Sequence, residues 1–366
     1  MSSRRTKVLI SASGTGGHLI PAQQLAVDIQ KKGGEVFFAA ADLSKKTFFQ
    51  KDNFSYLDIS SSYLNRKNLF LAFFKILKGL IQSLKLIRRY KPDVVVGFGS
   101  YHTFPVMLAS FLLMKKIVLF DSNVVLGKVN RVFSKKAKYI AVQFNLEKKL
   151  KNEILIKRFP WITNEILKKD FNLEIGLDKN VFTILIFGGS QGSKIINDNF
   201  ISIIEKLKQD QKIQVIHILG KGSDLDKYKK IYDDLSIKSY VSAFEKDLFN
   251  FYVISDLVIS RSGACSILEL IHFEKPSILI PFKNAKENHQ YKNAIFMRDV
   301  VKSSAVIEED RLTQDVLLEE ILSFFRNDKS KISIFRKNSQ IFKITDDKNN
   351  KKEFSDLVLE IGSNKL

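Results

Sequence analysis

The sequence predicts an α/β protein built from doubly wound parallel sheets, and two observations carry that prediction. Compact apolar runs recur along the chain, as expected of strands buried on both faces. The predicted strands are Val8–Ile10, Glu35–Ala41, Tyr56–Ile59, Val94–Gly97, Ile117–Phe120, Tyr139–Val142, Phe182–Phe187, Gln214–Leu219, Tyr240–Phe244, Leu257–Ser260 and Ser277–Pro281. Segments with helical spacing of apolar residues fill the gaps between them. Because two such series occur within 366 residues, we expect two domains, each with its own core.

The predicted domain boundary lies at Lys157–Asn164, a stretch that contains the only tryptophan of the chain. We place the N-terminal domain at residues 1–158 and the C-terminal domain at residues 165–338. The tail from Thr313 onward has the composition of charged helices, and Glu353–Ile361 is the predicted closing helix.

The charge and composition limit the partners and the compartment that we expect for this protein. The net charge of +20 is compatible with a nucleic acid, with an anionic membrane surface, or with a lysine-rich composition that serves no partner. The basic residues are spread along the chain without the stripe or motif of a nucleic-acid-binding module, so we expect no nucleic-acid partner. The single cysteine, Cys265, excludes an intramolecular disulfide and fits a reducing compartment. No signal peptide and no spanning helix are expected, which predicts a cytoplasmic protein.

The stretch Ser11–Ala22 reads SASGTGGHLIPA and joins an apolar run to a segment with helical spacing. Its glycines allow a tight turn, and a helix that begins there directs free N–H groups at the turn. The pattern favours a phosphate or diphosphate site, with His18 within reach of a bound substrate. Packing alone is the alternative. A dinucleotide fingerprint is disfavoured, because the sixth position from Gly14 is Leu19.

Residues Leu69–Tyr90 form a long amphipathic pattern. One apolar face recurs at spacings of three and four: Leu69, Phe73, Ile76, Leu80, Leu84 and Ile87. Further apolar residues, Phe70, Leu71 and Phe74, lie off that face among lysines and arginines. Two interpretations stay open: a buried helix with a solvated basic edge, or an element that touches an anionic membrane surface.

Gly97–Pro105 (GFGSYHTFP) follows a buried strand, at the end where α/β proteins bind ligands. Tyr101, His102 and Thr103 are therefore candidates for substrate contact. His102 has a structural alternative, as a hydrogen-bonded residue of the fold.

The second half contains two more small-residue turns that open helices, GGSQGS at Gly188–Ser193 and RSGACS at Arg261–Ser266. Glu269 follows one turn inside the latter helix, where its carboxylate can accept hydrogen bonds from a vicinal diol; the alternative is an exposed helix carboxylate. Gln290 and Asn293 are three residues apart, so they share a helix face and are candidates for binding sugar hydroxyls.

Taken together, these stretches resemble the MurG family of bacterial peptidoglycan glycosyltransferases. Five motifs occur in order: GTGGHLIPA at Gly14–Ala22, KPDVVVGFGSY at Lys91–Tyr101, GGSQGS at Gly188–Ser193, SRSGACSILEL at Ser260–Leu270, and P-F-x(7)-Q-Y-x-N-A at Pro281–Ala294. The resemblance implies a GT-B fold, two Rossmann-like domains facing a cleft, with the last helix (about residues 340–366) crossing back to the N-terminal domain. It implies an inverting transfer of N-acetylglucosamine from UDP-GlcNAc to the C4 hydroxyl of lipid I, at the cytoplasmic face of the inner membrane.

The resemblance also implies residue roles. His18 is the first candidate for the general base and Asp121 the second. The acceptor diphosphate is expected at Gly14, Thr15, Gly16 and Gly17. UDP-GlcNAc is expected to contact Thr15, Gly16, Gly17, Asn123, Ser190, Gln191, Arg261, Ala264, Cys265, Ser266, Glu269, Gln290 and Asn293. We expect no metal site and no tightly bound cofactor, because the chain has no pair of carboxylates with DxD spacing on a loop. The Leu69–Tyr90 region is expected to meet the anionic membrane surface.

Three departures from the family pattern bear on activity. The motif H-E-Q-N reads Phe120-Asp121-Ser122-Asn123, Ile162 stands where an arginine is expected to face the donor diphosphate, and Glu245 replaces an isoleucine beside uracil. Arg261 or Lys194 is the predicted substitute for the lost arginine. Two alternatives therefore stay open: a GT-B transferase with a different lipid acceptor, and a sugar-nucleotide-binding relative that does not catalyse transfer.

Overall fold

The computed structural model describes residues 4–14, 16–63, 69–157, 168–189, 191–347 and 351–363. The chain divides into two compact units, Met1–Arg158 with Asn350–Leu366, and Phe159–Asn349. Thr15, Ser190 and the predicted linker from position 158 onward, Ile162 included, lie outside the described residues.

The first unit is organised around a seven-stranded parallel sheet. Its strands are β1 (Lys7–Ser11), β2 (Glu35–Ala40), β3 (Tyr56–Asp58), β4 (Val94–Gly97), β5 (Lys116–Asp121), β6 (Tyr139–Val142) and β7 (Glu153–Leu155). The helices between them are α1 (Gly16–Lys31), α2 (Leu69–Tyr90), α3 (Phe104–Leu112) and α4 (Lys128–Phe133). The strand order is β3-β2-β1-β4-β5-β6-β7, so the chain adds β2 and β3 on one side of β1 and the later strands on the other side. The junction of β1 and β4, where the order changes side, is called the reversal point of this sheet. The Val–Val–Val run of β4 is fully buried, and this is why the sequence predicts a strand at the centre of the sheet.

The second unit repeats the plan with a six-stranded parallel sheet. Its strands are β8 (Phe182–Phe187), β9 (Ile213–Ile218), β10 (Ser239–Ser242), β11 (Leu257–Ser260), β12 (Ser277–Leu279) and β13 (Ser304–Val306). Its helices are α5 (Phe171–Glu174), α6 (Lys194–Asp210), α7 (Leu225–Asp234), α8 (Phe249–Ile254), α9 (Ala264–His272), α10 (His289–Phe296), α11 (Gln314–Leu322) and α12 (Arg326–Asp347). The order β10-β9-β8-β11-β12-β13 reverses between β8 and β11.

The last helix, α13 (Phe354–Gly362), belongs to the first unit. Its Phe354 ring stacks on Phe120 at the end of β5, with ring centroids 5.3 Å apart. Lys116 donates a hydrogen bond to the Ile361 carbonyl, and the chain just before α13 forms a parallel bridge between Lys352 and Ile156. The apolar side chains of Leu357, Val358 and Ile361 are buried there.

Two short strands were not predicted, β7 and β13, each of three residues at a sheet edge. Three residues are too few to show an apolar alternation, and an edge strand needs little of it. The predicted strands at 240–244 and 277–281 also end earlier, at Ser242 and Leu279.

The predicted apolar face of α2 is wrong in its first turns. Leu69 and Phe73 are exposed, whereas the buried positions of the helix are Ala72, Gly79, Ser83 and Ile87. The reason is a close backbone approach, since a Cβ at Gly79 would lie 1.8 Å from the Ser60 carbonyl oxygen. Small residues therefore form the packed side, which spacing of large apolar residues does not reveal.

Candidate functional sites in the two units

The first candidate site lies at the reversal point of the first sheet, where Ser11 of β1 pairs with Gly97 of β4. The turns that follow these neighbouring strands lie side by side at the carboxyl edge, the position at which doubly wound sheets bind ligands. A Cβ placed on Gly14 would lie 3.3 Å from Ser100 Oγ, 3.6 Å from His102 Nδ1 and 3.7 Å from His18 Cδ2. The structure thus brings together one predicted residue from each turn, His18 and His102.

The first turn has the backbone of a close-approach loop. Gly14 has φ +109°, a conformation that side chains disfavour, and α1 begins two residues later at Gly16. The first turn of α1 contains no acidic residue, so its positive dipole end is not neutralised by its own sequence. Gly17 and the half-buried His18 stand in this turn, which suits it to an anion with an imidazole beside it.

Asp121, at the end of β5, is a buried carboxylate that organises the loop after it. One oxygen accepts hydrogen bonds from the backbone and side-chain nitrogens of Asn123, each at 3.2 Å. The other accepts from the Gly127 amide at 2.9 Å and from Asn130 Nδ2 at 3.1 Å. These four hydrogen bonds hold the loop, and the bond from Asn123 Nδ2 orients the Asn123 side-chain amide directly. This geometry favours a positioning role for Asp121 over proton transfer.

The second candidate site lies at the reversal point of the second sheet, where Ser260 of β11 pairs with Phe187 of β8 and with Leu279 of β12. The turn after β8 places the exposed Gln191 at its tip. Gly192 is required there, because a Cβ would lie 2.4 Å from the Leu219 carbonyl oxygen. The backbone at Gly192 therefore packs directly against the residue that follows β9.

The turn after β11 leads through Gly263 into α9. Gly263 is the N-cap of α9 and has no side chain that could cap the helix. Ala264 and Ser266 are buried in that first turn, and Cys265 is half-buried. Backbone amides and the helix dipole make this a second anion-binding geometry.

Arg261 stands just before α9 and is buried. Its Nη1 donates to the Ile280 carbonyl at 3.1 Å and to Glu309 Oε2 at 2.9 Å, and its guanidinium lies 5.3 Å from the centre of the Phe282 ring. The same Glu309 oxygen accepts from the Lys283 amide at 3.0 Å. The guanidinium is thus held by a carboxylate, which partly neutralises the charge that was predicted to face the donor phosphates.

Glu269 lies one turn into α9, and a tyrosine hydroxyl contacts its carboxyl. Tyr252 donates its hydroxyl to Glu269 Oε2 at 2.9 Å, and the Tyr252 ring stacks on Phe273 with centroids 5.0 Å apart. Burial, reinforced by the charge of Asp247, raises the pKa of Glu269 to about 7, although the hydrogen bond from Tyr252 acts in the opposite direction. Glu269 is therefore a carboxyl that changes charge near neutral pH.

Gln290 and Asn293 share one face of α10, as predicted, and both are hydrogen-bonded to neighbouring turns. Asn293 is buried and donates to the Ser262 carbonyl at 3.1 Å. Ser262 donates to the Gln290 carbonyl at 2.7 Å, and Gln290 Oε1 accepts from the Phe282 amide at 3.0 Å. These bonds tie α10 to the turns after β11 and β12.

Sequence reasoning missed Asp42, Ser100, Tyr252 and Glu309. Three of them meet their partners across the fold: Tyr252 is 17 residues from Glu269, Glu309 is 48 residues from Arg261, and Asp42 faces His102 from the turn after another strand. A tyrosine on a short helix and a glutamate after an edge strand carry no local signal. Only the nearness of Ser100 to His102 was visible in the sequence.

Both units match a described family. The Glycosyltransferase family 28 N-terminal domain matches residues 8–142, and the Glycosyltransferase family 28 C-terminal domain matches residues 183–358. A protein of Protochlamydia amoebophila is 38% identical over 325 residues, which cover 86% of this chain and 86% of that protein. One of Rickettsia canadensis is 34% identical, over 88% of this chain and 92% of its own length. Both are named UDP-N-acetylglucosamine--N-acetylmuramyl-(pentapeptide) pyrophosphoryl-undecaprenol N-acetylglucosamine transferase.

Solved structures agree on the fold. The MurG of Acinetobacter baumannii superposes with a TM-score of 0.76 at 22% identity, covering 99% of this chain and 100% of that one. The Streptomyces glycosyltransferase SsfS6, solved with thymidine diphosphate, superposes with a TM-score of 0.64 at 12% identity, covering 97% and 98%. The predicted GT-B class is confirmed by these likenesses and by the two parallel sheets. On the identity and coverage of its relatives, the chain belongs to the MurG family of glycosyltransferases.

Proposed function

We infer that this chain transfers N-acetylglucosamine from UDP-GlcNAc to lipid I and so forms lipid II. The observation that carries the inference is the full-length relationship to proteins named for this reaction, 38% identical over 86% of the chain. The structure adds that the motif turns of each sheet lie at its reversal point, where both sheets present helix N-termini to a ligand.

We assign the donor to the second unit. The N-terminus of α9 and the turn at Gln191 are suited to a diphosphate, and Glu269 is suited to a ribose diol. Arg261 contributes positive charge at the edge of this site, moderated by Glu309. Asn293 and Gln290 hold the turns in register, and Gln290, half-buried, has the amide donor needed for a sugar hydroxyl.

We assign the acceptor to the first unit, with its diphosphate at the Gly14–Gly17 turn. In the reaction, the C4 hydroxyl of the muramyl sugar forms a bond to the anomeric carbon while the bond from that carbon to the UDP oxygen breaks. His18 accepts the hydroxyl proton, a role that suits an imidazole near neutral pH. Asp121 positions Asn123 through its hydrogen bonds, and Asn123 binds a hydroxyl of the transferred sugar. The proposal involves no metal and no tightly bound cofactor.

We propose further that α2 docks on an anionic membrane surface. Its first turns expose large apolar side chains, with Phe70 84% and Phe74 62% exposed, and Lys75, Lys78 and Lys85 are exposed on the same helix. Rings that enter the headgroup region beside lysines that meet anionic lipids are typical of peripheral attachment. Within the described part of the chain, no helix combines the length and apolarity needed to cross a membrane.

Vesicle co-sedimentation tests the membrane surface. The Phe70→Asp/Phe74→Asp variant is expected to bind phosphatidylglycerol vesicles at least about tenfold more weakly, since each buried ring contributes about 1.5–3 kcal/mol. Leu173→Asp, which alters an exposed leucine of the second unit, is the matched control and is expected to bind as the parent does. Equal binding of all three proteins would contradict docking through α2.

The activity is tested by transfer of labelled N-acetylglucosamine to a short-chain lipid I analogue. The parent chain is expected to form lipid II product, and Glu269→Ala is expected to form far less. Glu205→Ala, an exposed glutamate on α6, is the control and is expected to match the parent. Binding of UDP without any transfer would contradict the proposed reaction and favour a non-catalytic relative. Transfer to another polyprenyl acceptor alone would indicate a different lipid substrate.

A further inference from the structure

A serine, a histidine and an aspartate are linked at the carboxyl edge of the first sheet, and the reaction above assigns none of them a role. Ser100 Oγ and His102 Nδ1 lie 2.9 Å apart and share a hydrogen bond. His102 Nε2 faces Asp42 Oδ2 at 3.9 Å. His102 is buried, whereas Asp42 and Ser100 are partly exposed. The three side chains form a line from a carboxylate, through an imidazole, to a hydroxyl.

Backbone hydrogen bonds fix this line in place. The Ala41 amide donates to the His102 carbonyl at 3.0 Å, which joins the turn after β2 to the turn after β4. Thr103 Oγ1 donates to the carbonyls of Gly99 and Ser100, both at 2.9 Å. The backbone that carries Ser100 and His102 is therefore fixed by its own turn and by the turn after β2.

The Ser100 hydroxyl points at the backbone of the first glycine turn. A Cβ at Gly14 would lie only 3.3 Å from Ser100 Oγ, closer than such atoms usually come. The glycine keeps this small space open between the hydroxyl and the turn. A ligand oxygen bound at Gly14 would consequently lie close to the Ser100 hydroxyl and to the His18 ring.

Ser100 also adopts a backbone conformation that a glycine would adopt more readily, with φ 71° and ψ 149°. A strained non-glycine residue at the edge of a site is retained when its side chain is needed there. The conformation and the hydrogen-bonded line are two separate observations about the same residue.

We propose that Ser100 donates a hydrogen bond to a phosphate oxygen of the acceptor diphosphate, and that His102 and Asp42 orient its hydroxyl. This rests on the proposed function, since it takes the acceptor to be the polyprenyl diphosphate-linked sugar. With Asp42 facing Nε2, the His102 ring can present its other nitrogen to Ser100 as a donor. Its Nδ1–H donates to Ser100 Oγ, which leaves the serine hydrogen for the phosphate.

The test measures acceptor affinity without turnover, by calorimetry with a short-chain lipid I analogue and no donor. Ser100→Gly and Ser100→Ala are both expected to weaken binding roughly tenfold or more, the loss typical of a hydrogen bond to a charged group. Neither is expected to alter binding of UDP or of a muramyl pentapeptide without the diphosphate. Ser100→Gly relieves the backbone conformation, so its thermal midpoint is expected to equal or exceed that of the parent.

Variants of His102 separate orientation from packing. His102→Asn keeps a donor at the position of Nδ1 and is expected to retain the parent affinity within about threefold, whereas His102→Leu weakens binding as Ser100→Ala does. The double variant Ser100→Ala/His102→Leu is expected to bind no more weakly than Ser100→Ala alone, because both remove the same bond.

Two results would overturn the inference: parent-like acceptor affinity in Ser100→Gly, or an equal loss of affinity for the analogue that lacks a diphosphate. The proposed function fails separately, if the parent forms no lipid II product. Because the affinity measurement needs no transfer, the two failures are told apart.

Discussion

The glycine-rich turns of the two units share a backbone plan and differ in the side chains around them. In the first unit, His18, Ser100 and His102 lie near Gly14. An imidazole can gain or lose a proton, and a serine can re-aim its hydroxyl. In the second unit, the charged groups are held by partners: Arg261 by Glu309, and Glu269 by Tyr252. The comparison supports the proposed division, in which the first unit performs the proton chemistry and the second binds the donor.

The largest expected effect is on His18. His18→Ala is expected to lower kcat by at least about tenfold, and a general base typically contributes about 10²–10⁴-fold. The dissociation constant for UDP-GlcNAc is expected to stay within about twofold, since the nucleotide part of the donor is assigned to the other unit and His18 is given no donor contact. Steady-state rates and calorimetry on the same preparation check both numbers. Unchanged kcat would remove His18 from proton transfer.

The corresponding change in the second unit is Glu269→Gln. The amide keeps the shape and loses the charge, so UDP-GlcNAc is expected to bind roughly 10–100-fold more weakly, as expected when a charged hydrogen-bonding group is lost. Binding of a short-chain lipid I analogue is expected to be unaffected. If donor affinity were unchanged while acceptor affinity fell, the assignment of substrates to units would be reversed.

Asp121→Asn tests whether that carboxylate positions or catalyses. Asp121 accepts four hydrogen bonds, and an amide places a donor where the Gly127 or Asn123 nitrogen already donates. The free energy of unfolding is expected to fall by about 1–3 kcal/mol. Denaturant titration measures it. A positioning role leaves the shape of the pH profile of kcat unchanged, whereas loss of its acidic limb would identify Asp121 as the base.

The smallest effect expected is a pH dependence of donor binding. Burial raises the pKa of Glu269 to about 7, and the ribose diol donates to the ionised carboxylate. Affinity for UDP-GlcNAc is therefore full above that pKa and is lost as the pH falls through it, by about tenfold between pH 8 and pH 6. The Glu269→Gln variant is expected to show a flat profile over this range. A parent profile as flat as that of the variant would contradict the role of the carboxylate.

The sequence predicted the central strands and the motif turns because both have local signatures. Val94–Gly97, Tyr139–Val142, Phe182–Phe187 and Leu257–Ser260 are strands over those residues, since buried parallel strands are continuous apolar runs. The helix at Leu69–Tyr90 also has the predicted bounds. Its packed face was missed, because the close approach of Gly79 to Ser60 depends on a distant segment.

The sequence could not predict the partners of the site residues, for the same reason. Glu309 meets Arg261, and Asp42 meets His102, only after parallel strands far apart in the chain become neighbours. A turn motif identifies where an anion can bind. It does not show which distant side chains lie beside that site.

The most direct test of this division is a set of initial rates over both substrates for the parent, His18→Ala and Glu269→Gln. The account predicts that His18→Ala loses kcat with the UDP-GlcNAc affinity intact, and that Glu269→Gln raises the KM for UDP-GlcNAc while the KM for the lipid I analogue is unchanged. A His18→Ala protein with the kcat of the parent, together with a Glu269→Gln protein that has the donor KM of the parent, would contradict it.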